Sequence, residues 1–204
     1  MSRARINSNS LNRSGSTAFR TSVLLSLSTS TEPLDTAVTP SGVGSNPGSS
    51  WIDVGGTDGG VSFMVENGYT DLVVDQLIMP VGARLTDMKM SITTKMAEIT
   101  LSNLNTAMNN ICSTGGGSGY STMDIQVGTS ATQPSYLAMI IDGWTAQLST
   151  GLPALRRIIV RKLLAEVKVS MTYDRKTQQS LDTTFSAYYV SGAVNPVHVV
   201  DQVS

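Results

Sequence analysis

A single cysteine, Cys112, and a single histidine, His198, remove much site chemistry at the outset. One thiol cannot close an intramolecular disulfide or build a cysteine metal cluster. Without a second imidazole, a zinc site of His and Cys or a mechanism run by a His pair lacks its ligands. Charge is scarce as well: Asp, Glu, Lys and Arg make up 14% of the 204 residues, against roughly 25% in ordinary soluble domains. The formal net charge of −1 argues against a dedicated nucleic-acid binder, which carries a basic patch. Aromatics, at 5%, leave little for an exposed recognition pocket. No apolar run approaches the roughly 20 residues of a membrane helix. The run Val23-Leu24-Leu25-Ser26-Leu27 is too short for the core of a signal peptide.

What stands in place of charge is Ser, Thr, Asn, Gln and Gly. Such a surface suits a lone monomer poorly, so much of it is expected to meet other protein. The length fits one domain with an arm. Residues 1–50 read as an extended polar N-terminal arm and linker. They are rich in Ser, Asn, Thr, Gly and Pro, with Arg3, Arg5, Arg13 and Arg20 and no acid before Glu32. This composition cannot make its own core, so the arm is expected to order against a neighbour, and removing it through Thr39 is expected to spare folding. An Arg- and Ser-rich, acid-poor start also mimics an organellar transit peptide. Val23 to Leu27 is a candidate short strand within it. Residues 51–204 read as the compact domain.

Period two dominates that domain. From Ala165, the residues Val167, Val169, Met171 and Tyr173 point one way and Glu166, Lys168, Ser170, Thr172 and Asp174 the other. After the polar link Asp174 to Gln179, Leu181 to Val190 alternates again, with Thr183, Phe185, Ala187 and Tyr189 on one face. Two such segments predict an antiparallel hairpin, the spine of a β domain. Asp71 to Met79, Leu85 to Met96, Tyr136 to Ile141 and Leu155 to Lys162 are further strand candidates, and Val197 to Val200 a short last one. On Leu85–Met96, Met88, Met90, Ile92, Thr94 and Met96 share a face, read as adaptable core filling or as a surface that repacks against a partner. The period changes near residues 100–112, where Leu101, Leu104, Met108 and Ile111 recur at helical spacing behind Thr100, a suitable N-cap. Asn103, Asn105, Asn109 and Asn110 fall on its polar side, and Ser113 to Gly119 reads as a mobile loop.

No site chemistry emerges. The glycine run Gly55 to Gly60 has no Lys-Ser or Lys-Thr pair and opens onto a strand pattern, so it is a turn, not a phosphate loop. Asp53 and Asp58 are too few carboxylates for a calcium loop. His198 sits among valines with no nucleophile–base setting around it. No catalytic residue, cofactor or metal is expected, and an enzyme is not. On Leu155–Lys162, Arg157, Ile159 and Arg161 share one face. This is either a solvated face or one that meets acids of a neighbouring subunit. The second reading predicts that Arg157→Glu with Arg161→Glu blocks assembly more than folding.

One family fits the order of these segments. Val73-Val74-Asp75-Gln76, then Pro80-Val81-Gly82, then Leu85 to Glu98 and a Leu-x-x-Leu helix resemble the tail tube proteins (major tail proteins) of long-tailed bacteriophages. Trp51 to Val61 upstream is similar, as are Pro153 to Lys162, Val167 to Tyr173 and Phe185-x-x-Tyr188-Tyr189-Val190 downstream. The resemblance spans roughly Trp51 to Asp201; the long polar stretch before Trp51 departs from it. It implies a mainly β chain, an antiparallel β-sandwich or barrel of the phage tail-tube type with one flanking α-helix. Six copies would form a ring, and rings would stack into the hollow tube through which double-stranded DNA passes. The partners implied are copies of itself and other phage tail proteins, in a virion made in the host bacterial cytoplasm. On this reading Asp75, Gln76, Arg157 and Arg161 are subunit-interface candidates, and Glu66 and Asp71 candidate lumen-facing acids. A head–tail joining or tail completion ring protein, or a surface binding module, are the alternatives.

Overall fold

The computed structural model describes residues 22–27, 32–33, 35, 51–109, 112–125, 134–147, 153–166 and 179–202. In chain order the elements are β1 (Ser22–Leu27), β2 (Ile52–Asp53), β3 (Thr57–Leu72), β4 (Gly82–Met96), α1 (Leu101–Ala107), β5 (Cys112–Gly117), β6 (Tyr120–Ile125), β7 (Leu137–Gln147), β8 (Pro153–Glu166), β9 (Leu181–Ala187) and β10 (Val197–Asp201). The chain is mainly β, with one helix among the described residues, and every named strand pair is antiparallel.

β8 is the strand on which the rest is arranged. One edge pairs with β7; the other is divided, with β10 on Arg156–Val160 and β9 on Leu163–Glu166. The division falls where the β7 register slips: Met139 faces Val160 but Leu137 faces Leu163, one residue too many on β8. This bulge at Arg161–Lys162 resets the alternation. Val160, Leu163 and Ala165 consequently all reach the same core despite their mixed parity. The main sheet runs β2-β1-β7-β8-β9-β4-β3, with β10 as a branch. Val23 and Leu25 of β1 and Ile92 and Met96 of β4 share one core although their strands lie far apart in that order, so the sheet curls around it. Leu104, Ala107 and Met108 of the helix close the core on one side.

The second sheet face is covered as well, by a smaller cluster of Leu24, Trp51, Ala138, Ile140 and Ile159. This explains the uninterrupted apolar run Leu137–Ile141: a strand buried on both faces has no polar alternation to show. It also corrects the boundary of the arm. Val23, Leu24 and Leu25, inside residues 1–50, are at most 4% exposed, and β1 lies between β2 and β7 in this chain's own sheet. Removal through Thr39 would take that strand away.

The helix starts where expected. The Thr100 side chain accepts from the Asn103 backbone N–H at 3.1 Å. It stops sooner than the periodicity suggests, because Asn109 adopts φ +56°, a left-handed conformation that Asn tolerates. Nor is Asn109 on a solvated side. Its Nδ2 donates to the Ala165 carbonyl at 3.0 Å and its Oδ1 accepts from the Ala165 N–H at 2.7 Å, so one side chain extends the β8 ladder. Asn103 is buried too, donating to the Val54 and Glu98 carbonyls, each at 2.8 Å. Replacing Asn109 with Ala is expected to cost about 1–3 kcal/mol by leaving both groups of Ala165 unmatched. Asn109→Gly keeps the left-handed backbone and isolates the hydrogen bonds in the same urea titration.

Two further expectations are corrected. Ser113 to Gly119 is not a loop: Cys112–Gly117 pairs with Tyr120–Ile125 around a turn at Ser118-Gly119, where Gly119 supplies φ +89°. Asp71 to Met79 is not a strand either; β3 ends at Leu72 and the following residues form an exposed tip. The expected continuation from Val167 to Tyr173, and the link as far as Gln178, lie outside the described residues, although the β8–β9 pairing of the predicted spine is present.

Candidate functional site

The β3–β4 hairpin is far longer than the sheet it belongs to. β4 pairs with β9 only over Ser91–Met96, so Met64–Leu72 and Gly82–Met90 run on as a two-stranded ribbon. The ribbon is amphipathic. Cross-strand partners share a face, which puts Val65 with Met90, Asn67 with Met88 and Tyr69 with Leu85, in line with the core pair Phe63 and Ile92. The opposite face is mainly polar between Met64 and Leu72 at its two ends: it carries Glu66 with Lys89, Asp87 beside Lys89 at 3.4 Å, and Thr70 against Thr86 at 3.3 Å. Alternation therefore continues outward along the ribbon, but its apolar face meets solvent: Val65, Tyr69, Leu85 and Met88 are all exposed. The methionine face of β4 is thus divided, with Met96 buried in the core, Met90 half-buried and Met88 outside it.

At the tip, Leu77 N–H donates to the Val74 carbonyl at 3.1 Å and Val81 N–H to the Leu72 carbonyl at 2.9 Å. Asp75 and Gln76 are the two central residues of that Val74–Leu77 turn, both exposed. Glu66 and Asp71 also lie on the ribbon, exposed, but on opposite faces: Glu66 on the polar one, Asp71 opposite Ala83 on the other. They do not form one acidic surface.

The arginine candidates lie elsewhere, on the second face of β8, and are not alike. Arg157 is 1% exposed. Its Nε and Nη2 donate to the two carboxylate oxygens of Asp142 at 2.7 and 2.8 Å, across the β7–β8 register. The expectation that Arg157 meets an acid of a neighbouring subunit is corrected: its acid is in its own chain. Arg161 is half-buried and binds Glu32 through Nε and Nη2 at 2.9 and 2.8 Å and the Asn195 carbonyl through Nη1 at 2.7 Å. Alongside, His198 Nε2 lies 3.0 Å from Asp35 Oδ1. Glu32 is thus held against β8 by an ion pair with Arg161, and Asp35 against β10 by its contact with His198. The sequence signal for Asp142 is an acid ending one apolar strand run and an arginine inside another; its pairing needs the strand register.

Between these groups is a cleft of about 250 Å³, floored by Trp51, Ala138 and Ile159 and rimmed by Glu32, Arg161, Lys162, Val190 and Val194. Lys162 Nζ stands 4.2 Å above the Tyr136 ring centroid, and Tyr136 packs edge-on against Tyr188 at 5.8 Å.

β10 is fastened at its end by Arg156, whose Nε and Nη2 each donate to Asp201 at 2.6 Å. That hydrogen bond holds the Asp201 carboxyl below its ordinary 3.8 and pushes the Arg156 guanidinium up. A carboxyl lowered in the folded state stabilises the fold above its unfolded value and ceases to as pH falls through the folded one. β10 is therefore expected to loosen only in acid, as pH falls below 3.8. NMR amide shifts of Val197–Asp201 report it, and Asp201→Asn removes the pH dependence.

Among the described residues no three His, Cys, Asp or Glu side chains converge as metal ligands, and no helix is long and apolar enough to cross a membrane. The chain matches no protein-family model and no curated protein.

Proposed function

We propose that the chain is a structural virion protein that assembles with copies of itself into stacked rings, the hollow tail tube of a long-tailed bacteriophage. What carries this reading is the outward apolar face of the β3–β4 ribbon. An isolated two-stranded ribbon is marginal in water. This one displays Val65, Tyr69, Leu85 and Met88 in a row continuous with the core pattern. Burying the roughly half of each side chain that is still exposed is worth about 1 kcal/mol apiece, which a monomer forgoes. Contiguous exposed apolar surface of this kind marks a protein-binding face. The low charge of the whole chain supports the same reading, as does the motif order from Trp51 to Asp201. The β-sandwich or barrel of the tail-tube type belongs to this proposal, with double-stranded DNA passing without base readout. The role is structural, not enzymatic, in a virion assembled in the host bacterial cytoplasm.

Negative-stain electron microscopy of the purified chain, beside size-exclusion chromatography over a concentration series, tests it. Hollow tubes of uniform width are expected. Closed single rings would assign the chain to the head–tail joint instead. A monomer at every concentration with saturable glycan affinity would make it a surface binding module.

A further inference from the structure

We infer that the tip of the β3–β4 ribbon of one copy seats in the Trp51–Ile159–Lys162 cleft of the next copy, a head-to-tail contact; the inference rests on the self-assembly reading above. The tip is the most exposed apolar part of the described residues. Ile78 is 104% exposed, Met79 76% and Val73 69%. Its turn presents Asp75 between these aliphatic groups. A contiguous exposed apolar tip of this kind marks an interaction surface.

The cleft has the complementary character. Its floor is apolar, and its 250 Å³ is room for branched aliphatic side chains. Its rim carries two cations, Arg161 and Lys162, and one carboxylate, Glu32. Arg161 is already engaged by Glu32 and the Asn195 carbonyl. Lys162 stands over the Tyr136 ring, and among the described residues no carboxylate lies within 4.0 Å of its ammonium group. Asp75 of an incoming tip supplies that anion while Ile78 fills the apolar floor.

The tip cannot be this chain's own plug by local packing. β3 packs on β4 and on no other element to a comparable extent, and the ribbon leaves the sheet at the edge opposite β1. From Met64 the strand extends roughly 27 Å at about 3.4 Å per residue, enough to cross onto a neighbouring molecule. The stretch Met64–Met90 also supplies about the 20–30 residues a side of a standard interface. Because donor and receptor are different surfaces, each copy gives one tip and receives one. Two copies that exchange tips close a two-fold pair; a contact that is not returned closes a larger ring or propagates along a fibre.

The test uses full-length chain. In a Cys112→Ser background, one population carries Ile78→Cys and another Val194→Cys. The two are mixed at assembling concentration and mildly oxidised. The expected product is a disulfide-linked pair that contains one chain of each kind. Adding Asp75→Lys to the first population is expected to cut the yield about tenfold, and Lys162→Glu in the second to restore it. Particles seen by electron microscopy with no mixed disulfide overturn this contact while leaving self-assembly standing. A disulfide confined to the Ile78→Cys population also overturns it, since tips would then meet tips. Wild-type chain that forms no particles overturns both readings.

Discussion

Replacing Arg157 with methionine is expected to cost about 3–5 kcal/mol of folding stability, because the Asp142 carboxylate then stays buried without its guanidinium. For a chain of this size that lowers Tm by roughly 6–20 °C. It is a large share of the roughly 5–15 kcal/mol that holds an ordinary domain together. The pair is 2% and 0% exposed at its side chains and bidentate, so solvent cannot take up the slack. Arg157→Glu places two carboxylates at one buried point and is expected to prevent folding. That reverses the expectation from sequence that charge reversal at 157 and 161 acts on assembly first. Arg161→Glu alone is milder, since Arg161 is half-buried and its Glu32 partner can turn to water. Exchanging both members, Asp142→Leu with Arg157→Met, is expected to recover most of the loss, as apolar replacements of buried ion pairs do. Urea unfolding of the four variants gives the comparison; a loss under about 1 kcal/mol for Arg157→Met would show that the pair is hydrated in solution.

The second large effect is expected on the ribbon and leaves the fold alone. Leu85→Lys with Met88→Lys changes two exposed side chains, so monomer stability is expected to move by no more than about 0.5 kcal/mol per site. Assembly loses the burial of what each still exposes, about half of its surface, so about 1.5–3 kcal/mol for the two together, which raises the concentration needed roughly 10- to 100-fold. Lys89→Ser on the polar face is the control and keeps the wild-type threshold. Light scattering over a dilution series reads the threshold, and urea unfolding of the same preparations confirms that the monomers are alike.

The two effects separate what the sequence displays from what only the fold supplies. β9 is legible because Leu181–Phe185 alternates openly, β7 and β8 because Leu137–Ile141 and Leu155–Val160 are short apolar-rich runs, and Thr100 announces the helix. Arg157 is misread because parity puts it with Arg161 on a face that looks solvated. The cover on that face comes from Trp51 and from β1, a strand set in otherwise polar sequence. The end of the helix is hidden because Met108 and Ile111 continue its period, whereas Asn109 leaves it to bond Ala165. Glycines at 115–117 weaken the strand signal, and only pairing with β6 makes the hairpin. Val73 to Val81 is the instructive case. An apolar run says that a segment is to be buried, but not in which molecule, and here it caps a ribbon that points away from its own core.

Hydrogen exchange measured on the same chain, dilute and concentrated, tests the central claim most directly. If the ribbon is shaped for another copy, backbone amides of Met64–Leu72 and Gly82–Met90 exchange fast in the dilute monomer and gain protection on assembly. Amides of β7 and β8 then stay equally protected in both. Ribbon amides that exchange at one rate across the assembly transition would contradict the account.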